Sequence, residues 1–277
     1  MLLTLISLLI SCGLVKYKTR TGFTKWLHKI FLRSFNGVSL IRLDLAETKN
    51  KPVMYCFHPH GMVANGFGLG MLSTLNTSGR PLTIAVARSL YWLNPVFKWL
   101  VNSHGIDMCT VSRKDLQREM ARGRSIGLCP GGFEEALLVR QGADVVFLEK
   151  RTGFLRLACD FSYTVVQAFT FGESQIYENI LPLSAPLKRM AARCGIPLVW
   201  PRGNSWVSFN PIQPHRGLRI VFGEPIATPQ ADTKSAMYDI LHKTYINRLL
   251  LLHARFNPYM NCRLVVLYHN PRRPDVK

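Results

Sequence analysis

The chain has 277 residues, with 35 Lys and Arg against 16 Asp and Glu for a formal charge of +19, and 48% of it is hydrophobic. That composition excludes a disordered chain, a collagen-like chain and a polytopic membrane protein, while the length suits one large domain or two small ones. The positive excess leaves nucleic acid, an anionic membrane surface or a polyanionic substrate as partners.

Residues 1–15 carry no charge and are followed at once by Lys16, Lys18 and Arg20. As a helix this segment would reach roughly 22 Å at about 1.5 Å per residue, short of a hydrocarbon core of ~30 Å. Basic residues follow the apolar run instead of preceding it, and there is no small-x-small cleavage site, so a retained hydrophobic membrane anchor is expected. In residues 16–35, Phe23, Trp26, Leu27, Ile30 and Phe31 recur at helical spacing. Lys25, His28, Lys29 and Arg33 fall mostly on the other face. This is the pattern of a basic amphipathic interfacial helix, with a helix packed on the core as the competing reading.

Residues 36–277 read as one body. Short apolar runs at 53–57, 82–87, 125–129, 145–149, 163–169 and 218–222 predict buried strands, and helical stretches near 113–123 and 234–256 alternate with them. Alternation of this kind predicts an α/β fold with a mostly parallel sheet flanked by helices. A Pro- and Gly-rich section, 181–216, carries Trp200, Trp206 and Phe209 and reads as an insertion facing substrate or membrane. The seven cysteines lie far apart and form no Cys-x-x-Cys pair. Buried thiols in a reducing compartment are therefore expected, not a disulfide scaffold or a structural zinc site.

Three loops carry candidate chemistry. His58-Pro59-His60-Gly61 ends the first buried strand, where open α/β sheets bind ligands. Proline fixes its own φ and extends the residue before it, so both histidines are held firmly. Three roles fit them: a neutral imidazole acting as general base, a metal-binding His-x-His pair, or structural histidines capping a helix. No second cluster has metal-ligand spacing, so no metal is predicted. Next, Gly131-Gly132 follows another strand, where backbone N–H groups could face a phosphate or an oxyanion, with Glu134 and Glu135 able to orient an imidazole or bind a hydroxyl. A plain turn is the alternative. In the third loop, Lys150, Arg151 and Arg156 open a helix and suit phosphate binding, or else form a solvated helix start.

Taken in order, His58–Gly61, Gly131-Gly132-Phe133-Glu134-Glu135, Arg151-Thr152-Gly153-Phe154 and Phe171-Gly172-Glu173 resemble the type-2 diacylglycerol acyltransferase family, which includes monoacylglycerol and wax-alcohol acyltransferases. The likeness continues through Arg202-Gly203, the Gly223–Ile226 turn and the C-terminal helix with Tyr245, and covers roughly residues 36–260. Two departures stand out: Val165-Val166-Gln167 where the family strand ends Leu-Val-Pro, and an apolar N-terminal segment shorter than the family's hairpin.

The resemblance implies a glycerolipid-acyltransferase-like fold with an N-terminal anchor. It implies acyl transfer from acyl-CoA, a co-substrate with no other cofactor, to the hydroxyl of diacylglycerol, giving triacylglycerol. His60 is the expected base, ahead of His58, because it better matches the histidine of the wider His-x-x-x-x-Asp motif, whose Asp position here is Asn65. Glu135, ahead of Glu134, would orient the imidazole. Gly61, Gly131 and Gly132 are candidates for the oxyanion, and Lys150, Arg151 and Arg156 for the CoA phosphates. Gly153, Phe154 and Glu173 complete the expected substrate-binding set. The expected location is the cytosolic face of the endoplasmic reticulum membrane, and lipid droplets. Alternatives are a monoacylglycerol or wax-alcohol acyltransferase, then a lysophospholipid acyltransferase, then a non-catalytic membrane binder. Nucleic acid drops out, since the basic residues gather in no recognised module.

Overall fold

The computed structural model describes residues 37–43, 48, 51–75, 80–139, 141–148, 151–179, 187, 201–203, 217–229, 231, 233–257 and 263–267. The expected anchor, the interfacial helix, Lys150 and most of the 181–216 section lie outside them.

Val53–His58 (β2) is buried at all six positions and lies between Thr164–Phe171 (β7) and Ser125–Leu128 (β5), parallel to both. The main sheet extends through Leu82–Val86 (β3) to Asp107–Thr110 (β4) on one side, again in parallel. On the other side β7 pairs antiparallel with Leu218–Phe222 (β10), which pairs in parallel with Val38–Arg42 (β1). The resulting order is β1-β10-β7-β2-β5-β3-β4.

Continuous apolar strands imply helices on both faces, and the two cores lie there. Alternate residues of a strand point to opposite faces. Val53, Tyr55 and Phe57 join the core formed with Leu69 and Met71 of Asn65–Thr74 (α1). Met54 and Cys56 join the opposite core. There Leu155 and Leu157 of Gly153–Asp160 (α6) and Tyr245, Leu249 and Leu252 of Lys234–Phe256 (α7) cover the sheet. Arg88–Leu93 (α2), Pro95–Ser103 (α3), Arg113–Ala121 (α4) and Phe133–Leu137 (α5) complete the described α-helices longer than one residue. Several begin where side chains supply acceptors for orphan amides. Asn94 accepts from the Phe97 N–H at 2.9 Å, Ser112 from Asp115 at 3.2 Å and Thr233 from Ala236 at 3.2 Å.

The parallel α/β architecture expected from the alternation is present, and the helices at 113–123 and 234–256 appear within two residues of their expected bounds. The run at 145–149 departs from a main-sheet role. It starts earlier, as Ala143–Phe147 (β6), and pairs in parallel with Arg263–Leu267 (β11) in a separate two-stranded sheet. Short strands at Glu178–Asn179 (β8) and Pro201–Arg202 (β9) form a third sheet. Among the described residues, no helix is long and apolar enough to cross a membrane.

Candidate active site

The alternation along β2 separates the two histidines. His58 has the parity of Met54 and Cys56, so its ring enters the core under α7, where it is fully buried and its Nε2 shares a 2.6 Å hydrogen bond with the Tyr245 hydroxyl. Burial drives its pKa down to about 3, keeping the imidazole neutral. The structure thus places His58, expected in the catalytic set, within the core beside Tyr245, away from the loop that carries His60.

His60 lies beyond the strand end, after Pro59, and is only partly buried. Its Nδ1 is 2.8 Å from the Gly61 carbonyl oxygen. A carbonyl only accepts, so Nδ1 carries the proton and Nε2 of the neutral ring keeps its lone pair. The main chain thereby fixes the tautomer that a base needs. Desolvation lowers the pKa of His60, opposed by the Gly61 hydrogen bond and by the Glu134 charge, so the ring is neutral at physiological pH.

Two buried carboxylates hold this loop from opposite sides, both by main-chain contacts. Glu135 accepts from the His60 N–H at 2.8 Å through Oε2 and from the Phe147 N–H at 2.7 Å through Oε1. It ties the histidine loop to the end of β6. The expectation that Glu135 orients the imidazole is therefore corrected in its contact: it grips the backbone of His60, while the ring is held by Gly61. Burial raises its pKa to about 8 against the pull of the two N–H donors. Gly131 makes room for this carboxylate, since a Cβ there would come within 1.6 Å of Oε1.

Glu173 holds the other side. Its Oε1 accepts from the Asn65 N–H at 2.9 Å and its Oε2 from the Gly66 N–H at 2.8 Å, capping the start of α1, which leads straight out of the loop. The Asn65 side-chain amide also donates to it, at 3.3 Å. Asn65 is thus turned towards Glu173 and stands in for no carboxylate beside His60. Gly61 has φ +62°, and a Cβ there would lie 2.4 Å from Glu173 Cγ, so glycine is required on conformational and on steric grounds. Burial raises the Glu173 pKa to about 7, with a further upward push from Asp144. Asp144 is itself buried, accepts from the Ser174 hydroxyl at 2.8 Å and lies 3.9 Å from His253 Nε2.

Several residues expected to bind substrate have structural partners. The Gly132 N–H, expected near the oxyanion, donates to the Cys129 carbonyl at 3.1 Å within the turn. Phe154 is buried in the core, its ring centroid 5.3 Å from that of Tyr245, where it backs the residue bonded to His58. Glu173, as above, is engaged by main-chain amides. Arg151 forms an ion pair with the buried Glu134 and lies over the Phe147 ring. Arg156 is exposed, with its guanidinium 5.6 Å from the Tyr238 ring centroid, and Gly153 is exposed at the first position of α6. Among the described residues no group of three His, Cys, Asp or Glu is arranged to hold a metal ion.

Sequence reasoning missed the His58–Tyr245 pair and the Glu134–Arg151 pair. The first joins residues 187 positions apart, which local spacing cannot connect. A signal did exist for the second: an acidic pair opening α5 beside a basic cluster opening α6.

A neutral histidine with an unprotonated Nε2 stands at the carboxyl end of the parallel sheet, and comparison with known proteins bears out the acyltransferase class. The family model "Diacylglycerol acyltransferase" matches residues 2–263, and the chain belongs to that family. It is 28% identical over 256 residues to diacylglycerol O-acyltransferase 2A of Umbelopsis ramanniana, an alignment covering 84% of this chain and 70% of that protein. It is also 29% identical over 223 residues to diacylglycerol O-acyltransferase 1 of Schizosaccharomyces pombe, covering 74% of this chain and 63% of that one. Among solved structures, the 1-acyl-sn-glycerophosphate acyltransferase PlsC of Thermotoga maritima aligns with a TM-score of 0.45 at 11% identity, over 79% of this chain and 74% of that chain.

Proposed function

We propose that the protein is an acyl-CoA-dependent O-acyltransferase that esterifies the free hydroxyl of diacylglycerol to give triacylglycerol, working at the cytosolic face of the endoplasmic reticulum membrane and on lipid droplets. The observation that carries the reading is the His60 ring, partly exposed and held by the Gly61 carbonyl as the tautomer whose Nε2 accepts a proton.

In the proposed reaction His60 Nε2 takes the hydroxyl proton as the alcohol oxygen attacks the thioester carbonyl carbon. A tetrahedral oxyanion forms and collapses with cleavage of the C–S bond, and the CoA thiolate recovers the proton from the imidazolium. No covalent enzyme intermediate is needed. The nearby Glu134 charge favours the imidazolium as it forms. Arg156 is the exposed described cation closest in sequence to the third motif, and with Lys150 it is assigned to the CoA phosphates. Arg151 serves this role less directly, because Glu134 already engages it.

The test is expression of the chain in a host lacking neutral-lipid synthesis, with chromatography of the lipid extract. Triacylglycerol should accumulate with the native chain and not with His60→Ala, because general-base catalysis supplies about 10²–10⁴-fold. A diacylglycerol or wax-ester product would reassign the acceptor, a phospholipid product would move the protein to the lysophospholipid enzymes, and full turnover in His60→Ala would sink the role of the base.

A further inference from the structure

The mechanism above uses His60 and leaves a second, deeper polar chain without a task. His58 is fully buried two residues before the base, and its one hydrogen-bond partner across the described core is the Tyr245 hydroxyl, at 2.6 Å on α7. Tyr245 is itself held. The Gln167 side-chain amide, projecting from β7, donates to the Tyr245 carbonyl at 2.6 Å. The Phe154 ring packs on the Tyr245 ring with 5.3 Å between centroids and planes at 76°. All four residues are buried in the layer between the sheet and α6–α7.

We propose that Tyr245 is a positioning residue for the histidine loop, acting through His58 to fix where His60 stands at the strand end. The inference rests on the acyl-transfer reading for its kinetic consequence, though not for its structural one. A polar pair in this apolar layer is costly unless both members stay paired, so the Tyr245 hydroxyl accepts one position of the His58 ring and disfavours others. His58 is two residues from His60, with Pro59 between them restricting the backbone. A shift of the buried ring is therefore passed to the base. Gln167 and Phe154 serve the same end by holding Tyr245 itself. This gives the Gly-Phe of the third motif a reason to accompany the His-Pro-His-Gly loop: Phe154 backs the tyrosine that pins the first histidine.

Tyr245→Phe keeps the ring and its packing on Phe154 and removes only the hydroxyl. The full chain, in membranes or detergent micelles, would be examined by hydrogen exchange over residues 53–66 and by steady-state kinetics. We expect faster exchange in that segment and a kcat lower by about 10–100-fold, with KM for both substrates within about 2-fold, since misplacement of the order of 1 Å costs about 10²-fold. In a double-mutant cycle, His58→Ala with Tyr245→Phe should lose no more than His58→Ala alone. Wild-type kcat in Tyr245→Phe, or additive losses in the cycle, would overturn the proposal, as would unchanged exchange. Faster exchange in the variant with no acyl transfer by the wild-type protein would leave the positioning contact standing and remove the acyl-transfer reading instead. Should Tyr245→Phe fail to fold, Gln167→Leu loosens Tyr245 from the other side and should lower kcat by about 3–10-fold. An unchanged kcat in that variant would count against the proposal equally.

Discussion

Truncation of Glu135 tests the central structural claim, that a motif carboxylate serves the base by gripping its backbone. Glu135→Ala leaves two buried N–H groups, of His60 and Phe147, without the oxygens they now reach at 2.8 and 2.7 Å. Each unsatisfied donor costs about 1–3 kcal/mol, so the variant should lose about 2–6 kcal/mol of stability. Domains of this kind have about 5–15 kcal/mol in hand, so most of that range leaves the protein folded. Activity should suffer through a different route. With its N–H released, His60 can move by the order of 1 Å, which is worth about 10²-fold in kcat. Glu135→Gln retains one acceptor oxygen but presents its NH2 to the other donor, and should fall between the two. The assay is acyl transfer from acyl-CoA at saturating and limiting acceptor, with thermal melting in parallel. Near-normal kcat in a folded Glu135→Ala protein would refute the backbone-grip argument. A raised KM for the acceptor at unchanged kcat would show instead that the carboxylate meets substrate.

Other outcomes follow from the same geometry. Glu135, Glu173 and Asp144 have pKa values raised to about 8, 7 and 6, above those of an unfolded chain, so the folded state favours their protonated forms and stability falls as pH rises through these values. Buried His58 and His253 and the partly buried His60 are shifted down and are neutral in both states above about pH 6.5. Melting temperature should therefore decline from pH 6.5 to 8, by up to about 1.4 kcal/mol of stability per pH unit for each titrating carboxyl, and Glu135→Gln should flatten the decline; a melting temperature that climbs over this interval would contradict the burial of these groups. Glu134→Gln removes a charge that raises the His60 pKa, so the acid limb of the pH profile of kcat/KM should move to lower pH, and a shift the other way would exclude that role. Replacing exposed Arg156 by Ala should raise KM for acyl-CoA by about 2–5-fold, the range of one solvent-exposed ion pair, and leave the acceptor KM unchanged; an equal rise in both would argue against a phosphate contact.

How much of this was legible beforehand depended on whether the partner lay nearby in the chain. The apolar runs disclosed the central strands because helices cover both faces, which makes even polar-neighboured positions such as Met54 and Cys56 apolar. The edge strand Val38–Arg42 was missed for the converse reason: it is only half-buried, and its burial does not alternate strictly. Spacing alone also concealed β11, whose pairing with β6 joins segments more than a hundred residues apart. At the site, the motifs pointed to loops that the fold brings together, but residue type was a poor guide to which atoms each side chain contacts. A glutamate beside two glycines reads as a group aimed at ligand or imidazole. In the fold it meets N–H groups from two separate elements, and neither donor has a side-chain signature.

That pattern gives the motifs a shared physical logic. A loop that leaves a parallel strand has amides with no ladder partner, and a buried amide without an acceptor is expensive. Glu135 and Glu173 answer this need on the two sides of His-Pro-His-Gly, and Gly131 and Gly61 are the positions where their carboxylates require backbone without a side chain. One carboxylate and one glycine thus form each clamp, which gives a Gly-Gly-x-x-Glu and a Gly-Glu a structural reason to accompany the histidines. The clamps act on the main chain and leave the His60 ring to Gly61, so the ring keeps its orientation without an acidic residue at position 65. The His60 ring meets the Gly61 carbonyl where the wider motif would offer an Asp, and Asn65 at that position turns to Glu173 instead.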